Sequence, residues 1–329
     1  MPNVQSFIDA ADTSALLRAV DGLCAHRQWD ALVDLARRCR LAIEVGKQLW
    51  PVAMHIDYRL ALEAPAAYAA AVLRPDAARF ALGPLTEVAA GGHDWVALAP
   101  HIADPASAGA VAQERVIRGE DLTRAGDGIF TELPLVLADW EPSYALPRYR
   151  AREAAFPQPE ATTRALGRPR RRTPHVALER DPGAKALREV VEVWITQSSG
   201  RVHTATVEGC AANAVGRLLH DEGQDPAAAM IRLAPGEALA ILHWAGASGG
   251  AYGRRRGGAR GRFAAWSAAA ALAGLDWPID QESLGEALAE LSWFRWAPPG
   301  PEAGWILRLA VEDPVDSLAW AVSATDQRS

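Results

Sequence analysis

Residues 305–324 constrain the fold more than any other stretch of the chain. Trp305, Leu307, Leu309 and Val311 alternate with Ile306, Arg308, Ala310 and Glu312. After Asp313-Pro314-Val315-Asp316 the alternation resumes at Leu318, Trp320, Val322 and Ala324. A two-residue period on both sides of a Pro/Asp turn predicts an antiparallel hairpin. Trp293 and Trp296, joined to it through Pro298-Pro299-Gly300, read as a third strand. Such a sheet needs one face covered, and the segments between 210 and 291 are the expected helical cover. Asp280 to Leu291 reads as a helix with Asp280 as its cap, and Cys210 to Leu219 as another. Gly236 to Trp244 is a further apolar segment. Val190 to Thr196 looks strand-like, although Leu187, Val190, Val191 and Trp194 also fit a helical face.

The other half has a different grammar. From Asp12 to about residue 125, apolar residues keep helical spacing, as at Leu16, Leu17, Val20, Leu23 and Cys24. A helix over Val45 to Leu62 is expected to be interrupted near Pro51. Pro65, Pro75, Pro84 and Pro100 punctuate shorter pieces, and Asp104-Pro105 is a good helix start. The stretches around Trp29 and Trp95 echo one another, which suits a helical repeat array. Between the halves, Asp139 to Tyr149 reads as an extended aromatic segment on a domain surface, and Gly167 to Pro174 as an arginine-rich linker. The predicted organisation is α+β: an all-helical, helical-repeat-like domain over residues 1–125, an irregular Pro/Arg-rich connection over 126–180, and an antiparallel-sheet domain covered by helices over 181–329.

The most unusual chemistry lies in residues 243–275. Gly246-Ala247-Ser248-Gly249-Gly250 fits the G-x-S-x-G pattern of a nucleophile elbow, which needs a strand before the serine and a helix after it. In that architecture the histidine follows the serine, and no histidine follows His243. An anion site is a second reading. Ser248, Gly249 and Gly250 would turn amides toward a phosphate or carboxylate, with Arg254, Arg255, Arg256, Arg260 and Arg262 nearby. No phosphate-loop or dinucleotide fingerprint accompanies them. A third reading is architectural: Gly253, Gly257 and Gly261 recur every fourth residue and would form a close-packing seam on a helix.

Composition narrows the partners. The formal charge is −6, which disfavours a general nucleic-acid field. Of 34 basic residues only Lys47 and Lys185 are lysine, so arginine richness here reflects a compositional bias. Cys24, Cys39 and Cys210 are widely spaced and contain no C-x-x-C, which argues against disulfides and zinc and suits a reducing cytoplasm. No signal peptide is evident at the first residues, and no apolar run is long enough for a membrane span. No cofactor or metal motif is present. The scattered histidines include no H-E-x-x-H, and His55-Ile56-Asp57 does not share a helix face.

Arg115-Val116-Ile117-Arg118-Gly119-Glu120-Asp121-Leu122, Trp140-Glu141-Pro142-Ser143-Tyr144, Gly249 to Trp266 and Gly304 to Asp326 resemble an uncharacterised family of actinobacterial proteins. The resemblance covers most of the chain and implies a bacterial source, with no activity or site residue to transfer. The functional expectation is a binding or regulatory protein without catalysis of its own. It would receive an anionic ligand at the stretch 246–262, through Ser248, Gly249, Gly250, Arg254, Arg255, Arg256 and Arg260. The alternatives are a hydrolase using Ser248 or a helical scaffold for a protein partner.

Overall fold

The structure is a computed structural model that describes residues 4–74, 81–125, 129, 131–179 and 181–328. Pro75 and the expected boundary at residue 126 lie outside the described residues. The chain forms two compact units. One comprises Met1–Val116, Arg124–Thr131 and Pro147–Ala155, the other Ile117–Thr123, Glu132–Leu146 and Phe156–Ser329. No helix among the described residues is long and apolar enough to cross a membrane.

The first unit is helical: α1 (Val4–Asp9), α2 (Thr13–Ala25), α3 (Trp29–Glu44), α4 (Trp50–Glu63), α5 (Ala66–Ala71), α6 (Leu85–Gly92), α7 (Trp95–Leu98) and α8 (Pro105–Ile117). A small ladder, β1 (Arg148–Tyr149) and β2 (Ala154–Ala155), completes it. Short acidic side chains start several helices by accepting otherwise orphaned amides. Asp12 accepts from Ala15 N, Asp94 from Ala97 N and Asp104 from Ser107 N, at 2.9, 2.9 and 2.7 Å. The helix expected from Val45 begins only at Trp50. Pro51 sits in its first turn, where a missing N–H leaves no gap in the ladder. The tryptophans of the apparent repeat both open helices, but α3 has 16 residues and α7 has four. The echo therefore marks two helix starts and not two equivalent hairpins. Two charges buried in this unit are ion-paired: Asp57 with Arg40 at 2.5 Å, and Arg59 with Asp21 and Glu63 at 2.6 and 2.9 Å.

The second unit contains α9 (Glu160–Thr163), β3 (Arg170–Arg171), α10 (Pro182–Val190), α11 (Glu192–Thr196), β4 (Arg201–Glu208), α12 (Ala211–Asp221), β5 (Ala227–Leu233), α13 (Pro235–Ala247), α14 (Gly258–Leu272), α15 (Gln281–Glu290), β6 (Ser292–Ala297), β7 (Trp305–Asp313) and β8 (Leu318–Asp326). The strands form an antiparallel six-stranded sheet in the order β3-β5-β6-β7-β8-β4. The expected hairpin is β7–β8, with Leu309 opposite Val322 and Asp313 opposite Leu318. The third strand is β6, with Trp293 opposite Val311. Asp280 caps α15 by accepting from Ser283 N at 2.9 Å.

Both faces of the sheet are covered, where one was expected. Trp293, Leu307, Leu309, Val311, Trp320 and Val322 enter a core shared with α10, α13 and α14. Ala205, Val207, Trp296, Ala310, Ala319 and Ala321 face the other way, against Ala214, Val215, Leu218 and Leu219 of α12. The second face is rich in alanine, so its alternation looks half-polar in sequence although its centre is apolar and buried in the fold. Residues 190–196, which could be read as a strand, are helical. Leu187, Val190, Val191 and Trp194 are buried on one side, at the spacing of a helix face. Arg170 and Arg171 of the expected linker form the exposed edge strand β3 on β5.

Candidate functional site

The expected site is built on two packed helices and the loop between them. Every residue of α13 from Ala238 to Ala247 is buried, so this helix runs through the core and has no polar face. Pro235 lies in its first turn, and Glu237 reaches back to accept from Ala234 N at 2.8 Å. Because a helix leads into Ser248, the strand–turn–helix context of a nucleophile elbow is not formed. Ser248 caps the C-terminus of α13, is 7% exposed, and its Oγ accepts from Gly250 N at 3.0 Å.

The glycine seam is also different from the expected one. α14 begins at Gly258, and Gly257 has φ +97°, a left-handed conformation that ends the loop and breaks helical continuity. Gly253 and Gly257 therefore lie outside the helix. Of the three, Gly261 alone packs helix on helix. A Cβ there would stand 2.4 Å from the His243 carbonyl oxygen, and one on Gly246 would stand 2.7 Å from the Ala264 Cβ. The close approach of α13 to α14 rests on Gly246 and Gly261.

The loop from Ser248 to Gly257 turns one of its amides, that of Ala251, onto the chain's own carboxylate. Ala251 N donates to Asp326 Oδ2 at 2.6 Å, and Ser199 Oγ donates to Asp326 Oδ1 at 3.2 Å. Gly250 has φ +77°, and a Cβ there would lie 2.2 Å from Asp326 Oδ2. Tyr252 N donates to Ser198 Oγ, and Arg328 Nε to the Ala251 carbonyl. An anion does sit on the glycine turn, and it is Asp326, 2% exposed. Ser248, Gly249 and Gly250 are thus buried parts of the loop's own bonding.

The arginines divide into two groups. Arg262 is wholly buried and fully engaged. Its Nε and Nη2 bond Glu141 Oε2 and Oε1 at 2.9 and 2.6 Å, and Nη1 and Nη2 donate to the Pro134 and Val136 carbonyls at 2.8 and 3.0 Å. Glu141 also accepts from Ala138 N, Tyr144 Oη and Trp266 Nε1. Burial alone would raise the Glu141 carboxyl, but the Arg262 guanidinium and the other donors hold it below its ordinary value. Burial, reinforced by Glu141, pushes the Tyr144 hydroxyl well up. Within the segment expected to lie on a surface, Trp140, Glu141 and Tyr144 pack into this core, with Trp140 tilted at 5.0 Å from Trp266 and Tyr144 at 4.3 Å from His243. The sequence signal was a carboxylate set among aromatics, which is costly to bury without a cation.

Arg255 stands apart from its neighbours in the second group, with its guanidinium 4.6 Å over the Phe156 ring. Arg254 and Arg260 are exposed, and Arg256 is half-buried. No carboxylate of the described residues lies within ion-pair distance of Arg254, Arg256 or Arg260. Burial lowers the Arg256 pKa and the Arg260 charge lowers it further, while Glu192 partly offsets both. An arginine keeps its charge through such a shift, so this side chain is a cation at neutral pH, with no carboxylate of the described residues in ion-pair contact.

Other candidate chemistry is quiet. Among the described residues no cluster of three His, Cys, Asp or Glu could hold a metal. The buried thiols of Cys24 and Cys39 are pushed up to about 11 by burial, away from the thiolate form. Cys210 donates to Asn213 Oδ1 at 2.9 Å at the start of α12.

Comparison with known families matches residues 14–328 to the model described as "Family of unknown function (DUF6183)", and the chain belongs to that family. No curated protein matches the chain. No solved structure matches it either.

Proposed function

We propose that this chain is a binding or regulatory protein without catalysis of its own, and that it receives a phosphate- or carboxylate-bearing ligand on Arg254, Arg256 and Arg260. The observation that carries the reading is a contrast between arginines. Arg262 and Arg59, both buried, are each matched to carboxylates. Arg254, Arg256 and Arg260, from the loop and the first turn of α14, have none within ion-pair distance among the described residues. Arg256 lies near enough to Arg260 to feel its charge, and guanidiniums without a carboxylate in contact favour a guest that brings two or more anionic oxygens, which bidentate donors match. Ser248, Gly249 and Gly250 support the loop in this reading, through the turn around Asp326, and do not touch the ligand. An actinobacterial source and a cytoplasmic location belong to the same proposal. The first is supported by the near-absence of lysine, the second by three cysteines that form no disulfide.

Pyrophosphate titrated calorimetrically into wild type and into the Arg254→Ala/Arg256→Ala/Arg260→Ala variant tests the reading. Saturable binding by wild type, lost in a variant with unchanged near-ultraviolet circular dichroism, supports it. Equal binding by the two proteins contradicts it.

A further inference from the structure

A polar hollow lies elsewhere on the sheet unit, lined mainly by β6, β7 and the turn between them. It has a volume of about 230 Å³, is partly open to solvent, and is walled by Arg295 of β6, Ile306 and Arg308 of β7, Ile241 of α13, Thr162 of α9 and the Glu302–Gly304 turn, with Gln158 also on its lining. That is room for a small organic molecule.

Its charge does not balance. Glu302 accepts from Arg295 Nη2 at 2.8 Å through Oε2 and from Arg308 Nη1 at 3.0 Å through Oε1. Two guanidiniums share one carboxylate, which leaves one positive charge in excess. Arg295 spends a further N–H on the Arg164 carbonyl at 2.9 Å. Arg308 has no such second outlet. Its Nε is buried and has no hydrogen-bond partner among the described residues, and the same is true of Thr162 Oγ1 on the same wall. Its guanidinium stands 5.6 Å from the Trp296 ring, which limits how it can turn away. A buried N–H of a cation without an acceptor is unfavourable, and beside a cavity it favours a guest that brings one. Ile241 and Ile306 supply an apolar wall across the same space.

We propose that this hollow is a binding site for a small monocarboxylate with an apolar body. The carboxylate neutralises the excess charge by bonding the free edge of Arg308, the Thr162 hydroxyl adds a donor, and the apolar part lies against Ile241 and Ile306. The site is independent of the one proposed on Arg254, Arg256 and Arg260, and either can fail without the other.

Benzoate and its neutral isostere benzamide are the probes, read by the arginine Nε–H resonances of labelled protein, with the Arg308 signal assigned by its loss in Arg308→Gln. Benzoate is expected to shift the Arg308 signal saturably, and benzamide to bind about tenfold more weakly or worse, since only the charged group answers the excess guanidinium. Glu302→Gln removes the internal competitor and is expected to tighten benzoate binding severalfold, an effect that a purely structural Arg295–Glu302–Arg308 network would not produce. Arg256→Gln is expected to leave benzoate binding at Arg308 unchanged. An Arg308 signal that does not respond to benzoate, equal binding of benzamide, or unchanged or weaker benzoate binding in Glu302→Gln would each overturn the proposal.

Discussion

Glu141 Oε1 and Arg262 Nη2 lie 2.6 Å apart, and neither side chain is exposed to solvent. The pair joins α14 to a segment 121 residues earlier in the chain. Five donors converge on the carboxylate, and two backbone carbonyls take up the arginine's remaining edge. This completeness decides the energetics. A fully bonded buried pair roughly breaks even against apolar residues, whereas a half-removed pair leaves an uncompensated charge.

Arg262→Met is therefore expected to destabilise the sheet unit by about 3–5 kcal/mol, through the stranded Glu141 carboxylate. The double variant Glu141→Leu/Arg262→Met is expected to recover part of that loss. Urea unfolding of the three proteins checks this, and a double variant no more stable than the single one would refute the assignment.

The pair also sets a pH dependence. The Glu141 carboxyl is held below its ordinary value in the folded protein, so its stabilisation is complete above the unfolded-state value and is lost as pH falls through the folded one. In Arg262→Met, burial acts without the guanidinium and raises the same carboxyl, so acid protonates it and relieves the penalty. The stability gap between wild type and Arg262→Met is expected to narrow steadily from neutral pH toward the acid range. Urea midpoints measured across that range check it, and a constant gap would count against it.

The glycines separate into those that hold a contact and those that do not. Gly261→Ala forces a methyl to 2.4 Å from the His243 carbonyl oxygen and is expected to cost about 1–3 kcal/mol by overpacking the α13–α14 contact. Gly22 lies within α2, with nothing within 4 Å of an added Cβ. Gly22→Ala is expected to stabilise by about 0.5–1 kcal/mol, because alanine loses less backbone entropy in a helix. Thermal unfolding of both variants checks the contrast in sign.

How much of this was legible in the sequence depends on how local the cause is. The β7–β8 hairpin follows from alternation over twenty residues, and Asp12, Asp104 and Asp280 announce their helices through their own side chains. Residues 190–196 were ambiguous because β-branched residues at helical spacing satisfy both periods. The alanines of the second sheet face hid its burial. The four-residue glycine period around Gly257 suggested one helix because a positive φ leaves no mark in the sequence. The partners of Arg262 and of the glycine turn were beyond reach for another reason. Glu141 and Asp326 lie more than sixty residues away, and only the tertiary fold brings them in.

Asp326 supports the loop as an internal anion, which gives a further expectation. Asp326→Ala removes the acceptor of Ala251 N and Ser199 Oγ and is expected to cost about 1–3 kcal/mol through the buried donors it leaves unpaired. Formate, which can occupy the vacated position, is expected to raise the thermal midpoint of Asp326→Ala more than that of wild type at matched ionic strength. Equal formate effects on the two proteins would argue that the turn does not hold an anion.

The most direct test of the account is to follow the arginine Nε–H resonances while pyrophosphate is added to wild-type protein. Saturable shifts confined to Arg254, Arg256 and Arg260, with Arg262 unmoved in its pairing with Glu141, are the predicted result. A titration that leaves those three signals in place would contradict the account.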